Sequence, residues 1–202
     1  MSDGAKLYIV GGSEFGMETQ TVNVGSLAEQ LGLPLSHLEP RWYAAYTSAN
    51  HEKRVAEQLA QRSVEHFLPL HESVRRWKDR RMKLQLPLFQ GYVFVHIALR
   101  DRLQVLQIPS LVRLVNFGGH PAPLPEEDIQ AIRSCLSLGS QIEAHPYLRA
   151  GRRARVTSGP LQGLEGIILR RKNRTRLILS FDLIMRSVAV EIDAMELESV
   201  AS

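Results

Sequence analysis

Between residues 86 and 97, Val93, Val95 and Ile97 alternate with Tyr92, Phe94 and His96. A period of two in strand-favouring residues predicts a central sheet strand. Pro87 and Gly91 mark an irregular entry to it, and Phe89 and Tyr92 flank a Gln90-Gly91 pair where the backbone can bend. Two readings of these rings stand side by side: core residues at a strand start, or a contact surface. Upstream, residues 42–47 form a strand pattern, Ser48 or Asn50 is a candidate cap, and residues 52–62 form an amphipathic helix. Val55, Ala56 and Leu59 share its apolar face, with Glu52, Lys53, Glu57 and Gln61 elsewhere.

Apolar and polar positions alternate again over 67–74 and 83–88, on either side of a charged interval that reads as a protruding hairpin tip. Leu103 and Leu106 lie at helical spacing before Pro109, and 111–117 is a further strand turned by Gly118-Gly119. Pro125 followed by Glu126, Glu127 and Asp128 is a helix start favoured by the macrodipole, with Ile129, Ile132 and Leu136 at helical spacing. The order predicts an α+β domain, helices packed on a mainly antiparallel sheet, over 41–138. Residues 139–150, with Pro146 and no apolar period, read as a linker. Short strands with turn signals between them over 151–202 predict a small five-stranded β-barrel. Residues 1–40 show no sustained periodicity and read as a mostly disordered extension. Gly11 to Phe15 resembles the product of joined cloning sites, which makes Met17 a candidate natural start.

Composition narrows the classes. Cys135 is the single cysteine among 202 residues, which excludes an intramolecular disulfide and a cysteine-based zinc site and fits a reducing cytoplasm. No apolar run approaches the roughly 20 residues of a membrane span. The net charge of +4 hides a segregation: residues 1–40 carry −4, residues 41–137 hold 14 basic against 9 acidic, and 150–202 hold 9 against 6. Both candidate domains therefore suit polyanions. Arg75, Arg76, Trp77, Lys78, Arg80, Arg81 and Lys83 surround one aspartate, a pattern that suits phosphates and an unstacked base and equally a solvated hairpin tip. Arg170, Arg171, Lys172, Arg174 and Arg176 form a second basic stretch around Asn173. No phosphate-binding glycine loop, nucleophile elbow or paired-histidine zinc motif is present, so no catalytic residue, metal ligand or cofactor is assigned.

Four segments together resemble the NusG family of transcription elongation factors: Arg41-Trp42-Tyr43, the stretch from Leu88 to Val95, Pro121-Ala-Pro-Leu-Pro125, and Gly159-Pro-Leu-Gln-Gly-Leu-Glu-Gly166 with Val190-Glu-Ile-Asp193. The last pair matches the KOW module, an SH3-like barrel, and the first three match the NGN domain. Gln90 departs from the proline common in the family. The resemblance implies docking on the clamp helices of the largest RNA polymerase subunit through Tyr46, Phe89 and Tyr92, bordered by Ile129 and Ile132. It implies a reach to the second large subunit from the side of Arg102, and DNA contact near the transcription bubble by the first basic hairpin. For the barrel it implies a small-subunit ribosomal protein or Rho as partner, through Leu161, Leu164, Leu183, Ile184 and Arg186. Leu161 and Leu164 replace commoner aromatic residues. Together with the extension and Gln90, they suggest a specialised antiterminator of the RfaH, UpxY and LoaP kind, acting as a cytoplasmic monomer with no membrane partner. The alternatives are a housekeeping factor coupling polymerase to ribosome or Rho, and a KOW-type RNA or ribosome binder without polymerase contact.

Overall fold

The structure is a computed structural model that describes residues 6–8, 21–23, 37–77, 80–171 and 174–200, with backbone alone for 6–8, 21–23, 75–77, 80–81, 170–171 and 174. The short strands β1 (Lys6–Tyr8) and β2 (Thr21–Asn23) pair antiparallel. Otherwise, the expectation for residues 1–36 lies outside the described residues.

The first domain is built on β3 (Arg41–Thr47), which pairs antiparallel with β7 (Tyr92–Ile97) from Arg41↔Ile97 to Tyr46↔Tyr92. The expected strand is thus central, since β4 (His66–Phe67) closes the other side of β7. On the far side of β3 lie β8 (Leu111–Leu114) and β11 (Pro123–Leu124). Pro69 lies between β4 and β5 (Leu70–Trp77), so the expected continuous strand is two elements. β5 pairs with β6 (Arg80–Pro87) as a separate hairpin, and β9 (Asn116–Phe117) pairs with β10 (His120–Pro121) around Gly118-Gly119.

The period of two sorts the sheet's faces. Tyr43, Ala45, Val93, Val95 and Ile97 meet Val55 and Leu59 of α1 (Glu52–Gln61) and Val105 of α2 (Arg102–Leu106) in one core layer. Trp42, Ala44 and Phe94 face the opposite way, with Ile129, Ile132 and Cys135 of α3 (Glu126–Ser137). Trp42 is a core residue, as expected. Neither Ser48 nor Asn50 caps α1: His51 occupies that position, its ring at 2.9 Å from the Ala49 carbonyl, and no side chain caps the helix.

The second domain is a six-stranded sheet in the order β12-β16-β15-β14-β13-β17. Its strands are β13 (Arg153–Val156), β14 (Glu165–Arg171), β15 (Arg174–Phe181), β16 (Arg186–Glu191) and β17 (Leu197–Ser199). They match the expected count of five. Gly166 allows β14 to approach β15, because a Cβ there would lie 2.5 Å from the Ile178 carbonyl oxygen.

The sixth strand, β12 (Ile142–His145), comes from the expected linker. It pairs antiparallel with β16 from Ile142↔Val190 to His145↔Ser187. Beyond it, the Leu148 N–H donates to Ser187 Oγ at 3.1 Å, and the Ser180 hydroxyl donates to the Leu148 carbonyl. The interdomain segment is therefore fastened along the barrel edge. Its lack of apolar period misleads because only Ile142 is buried in it; the backbone ladder supplies the rest.

Candidate interaction surface

The aromatic patch forms where β3 meets β7. The Tyr46 and Tyr92 rings, opposite each other in the register, stand edge to face with centroids 5.5 Å apart. The Arg113 guanidinium lies 5.7 Å from the Tyr46 centroid. Tyr46 is 38% exposed and Tyr92 is half-buried. Phe89 sits on the same side at 1% exposure, edge to face against Phe94 at 5.6 Å. Ile129 and Ile132 are both at 0% exposure. All five expected residues thus gather on the α3 side of the sheet, but only Tyr46 presents an open surface.

Part of that cover comes from the barrel. Phe89 and Phe181, at the end of β15, stand edge to face with centroids 5.2 Å apart. The Arg186 guanidinium lies 6.0 Å from the Tyr92 centroid. One apolar cluster runs from Trp42, Phe89, Ile129 and Ile132 of the first domain into Phe181, Ile184 and Val188 of the second. Leu161, Leu164 and Leu183 pack against the same cluster. The two sets of residues expected to meet different partners therefore touch in this conformation through Arg186 and Tyr92. The core and contact readings of Phe89 become one: it is a buried ring whose cover belongs partly to another domain.

The electrostatics of this contact are not uniformly favourable. Burial pushes the Asp128 carboxyl up to about 6, helped by the neighbouring Glu127 and by Asp182 across the domain boundary. Asp182 accepts a hydrogen bond from the Tyr147 hydroxyl at 2.8 Å, which raises the phenol's proton affinity. Burial likewise raises Cys135, to about 11, leaving it an unreactive thiol inside α3.

One buried carboxylate was hidden among the expected surface residues of α1. Glu52 is 4% exposed and its Oε1 accepts from the Gly91 N–H at 2.7 Å. It lies at helical spacing with Val55 and Leu59 and shares their buried face, contrary to its expected place elsewhere on the helix, and its partner is a backbone amide 39 residues away that the sequence does not reveal.

The first basic hairpin forms as expected, with Trp77↔Arg80 and Arg76↔Arg81 opposite each other in the β5–β6 ladder. The side chains of Arg75, Arg76, Trp77, Lys78, Arg80 and Arg81 lie outside the described residues. Lys83 is exposed and pairs with Glu72 at 3.0 Å. In the second hairpin Arg171↔Arg174 are opposite each other, and Arg176 pairs with Glu143 of β12. Arg170, Arg171, Lys172 and Arg174 likewise lie outside the residues described with side chains. Among the described residues no cluster of three or more His, Cys, Asp or Glu side chains is arranged to hold a metal ion, and no helix is long and apolar enough to cross a membrane.

A sheet-and-helix domain with an aromatic patch, joined by a strapped segment to a small β-barrel, is an architecture of the NGN-plus-KOW type. Residues 40–133 match the family model described as "Transcription termination factor nusG". Over that stretch the chain is similar to the NusG family. The NusG of Lactococcus lactis, named a transcription termination/antitermination protein, is 28% identical over 174 residues, which cover 79% of this chain and 92% of that protein. That of Pasteurella multocida is 27% identical over 173 residues, covering 78% and 94%. The fold is also that of a solved structure titled "Domain interaction in Thermotoga maritima NusG", at 20% identity and a TM-score of 0.51, covering 82% of this chain and 99% of that one.

Proposed function

We propose that this NusG-type transcription factor docks on RNA polymerase through Tyr46, Phe89 and Tyr92, with Ile129 and Ile132 behind them, at the apolar tip of the clamp helices. The observation that carries this reading is the convergence of all five side chains on one side of the β3–β7 pair. Rigid rings offer buried area at little entropic cost, and an apolar helix tip is a fitting partner. The factor acts by binding and not by catalysis. Holding one polymerase conformation over another alters pausing only by the difference in affinity, so ~1.4 kcal/mol gives about a tenfold change in occupancy. The basic β5–β6 hairpin contacts DNA near the bubble, and the second large subunit is met from the side of Arg102.

In the conformation described Phe89 and Tyr92 lie against Phe181 and Arg186 of the barrel, and Arg186 is among the residues that would meet a ribosomal protein or Rho. The factor is then closed when free and opens on engagement. That reading supports a specialised antiterminator, recruited to particular transcripts, over a housekeeping factor always available to polymerase. Gln90 and the aliphatic Leu161 and Leu164 point the same way. Operon-limited occupancy on the chromosome supports the specialised role, and uniform occupancy the housekeeping one.

The test is binding to core RNA polymerase and single-round elongation on a template with a known pause. Tyr46→Ala with Tyr92→Ala removes two partly exposed rings, and circular dichroism of the double variant checks that the domain remains folded. The double variant is expected to bind at least tenfold more weakly, on the order of 1.4 kcal/mol or more, and to leave pausing unchanged. Wild-type strength in the double variant contradicts the dock.

A further inference from the structure

The turn that carries the dock is held by a group outside the patch. Tyr92 N–H donates to the Phe89 carbonyl at 3.2 Å, closing a turn whose third residue, Gly91, has φ +82°. That is the left-handed region which a type II turn reserves for glycine. A Cβ at Gly91 would also lie 3.2 Å from Tyr46 Cε2, so the same position sets how closely the patch rings pack. The turn itself uses neither polar group of Gly91. Its carbonyl accepts from the Thr47 N–H at 2.9 Å, and its buried N–H donates to Glu52 Oε1 at 2.7 Å.

Glu52 is the first residue of α1. The positive end of the helix favours an anion there, and the cap residue His51 supplies no side-chain acceptor. A buried charged acceptor makes the stronger class of hydrogen bond, and a buried amide left without it loses its full desolvation compensation. The Gly91 peptide is thereby pinned to β3 on one side and to α1 on the other.

We propose that Glu52 is a positioning residue of the dock: its carboxylate fixes the Gln90-Gly91 turn through the Gly91 amide and so sets the placement of Phe89 and Tyr92 for the partner. This rests on the reading of the patch as the polymerase dock. Glu52 touches no partner itself. Its role is distinct from stability alone because the lever is one amide inside the turn.

The experiment compares Glu52→Ala, Glu52→Gln and Leu59→Ala in the full chain carrying Arg186→Glu, so that barrel closure does not mask the effect. Affinity for core RNA polymerase is read beside thermal stability and amide hydrogen exchange at Gly91. Glu52→Ala is expected to bind about tenfold more weakly and to exchange the Gly91 proton at least tenfold faster, as loss of one buried charged hydrogen bond implies. Glu52→Gln keeps an acceptor and restores both. Leu59→Ala empties the opposite core layer and lowers stability without changing either readout. Unchanged Gly91 exchange in Glu52→Ala overturns the proposal, as does equal loss of binding in Leu59→Ala. If Tyr46→Ala with Tyr92→Ala binds polymerase like its parent, the dock reading fails instead, and Gly91 exchange alone decides whether Glu52 fixes the turn.

Discussion

Asp128 occupies the first turn of α3, where the macrodipole favours its charge, yet it faces Asp182 of the barrel and Glu127 of its own helix. The part of its raised proton affinity that comes from Asp182 belongs to the closed arrangement, with Tyr147 bonded to Asp182 and Arg186 over Tyr92 as the other polar groups nearby. The sign follows directly. An acid whose proton affinity is higher in one state stabilises that state as pH falls, so closure strengthens from about pH 6 down toward the ordinary carboxylate value. One proton limits the effect to about tenfold per pH unit. The closed fraction, followed by the separation of probes on the two domains, is expected to rise between pH 7.5 and 5, and Asp128→Asn to remove that dependence. A closed fraction that falls with acidification contradicts the assignment. At this scale the sequence singled out residues that the fold brings together and was silent about their exposure. Tyr46, Phe89 and Tyr92 stood out by pattern and resemblance. The burial of Phe89 depends on Phe181, 92 residues away and at the end of a strand whose pattern satisfies a barrel core on its own.

Among the elements, strands with strict alternation and helices with marked ends were legible: β3, β7, α1 and α3 lie within a residue or two of their expected bounds. Pairing partners that use backbone alone were not. The interdomain segment carries one buried apolar side chain, and nothing local shows that the β16 edge will accept it as β12. Its attachment is completed by hydroxyls, since Ser180 Oγ and Ser187 Oγ lie 2.8 Å apart and together hold both polar groups of Leu148. Ser187 is 1% exposed, so removing its hydroxyl leaves buried groups unmatched. Ser187→Ala is expected to cost about 1–3 kcal/mol in the cohesion of this strap. Limited proteolysis between residues 141 and 150 should accelerate in that variant while the barrel stays folded by circular dichroism. Cleavage at the wild-type rate contradicts the strap.

For the whole molecule, the closed arrangement places the proposed polymerase dock against part of the proposed partner surface of the barrel. Neither domain's pattern could reveal this, because each folds on its own periodicity and closure depends on a small difference between contacts made within the chain and with partners. The favourable part is the Phe89–Phe181 packing, the shared apolar cluster and Arg186 over Tyr92. The opposing part is Asp128 beside Asp182. Such a balance is readily shifted, as a switch requires. Apparent affinity for polymerase falls by the fraction of chains that are open, so any change that opens the chain without touching the dock tightens binding.

The most direct measurement is the affinity of the full-length Arg186→Glu variant for core RNA polymerase, against wild type. Arg186 is exposed and lies outside the dock. Reversing its charge removes the contact with Tyr92. If the barrel covers the polymerase surface, the variant binds severalfold more tightly, with the gain equal to the rise in its open fraction. If it binds as wild type does, or more weakly, while its domains are demonstrably apart, the covered patch is not the surface that polymerase uses.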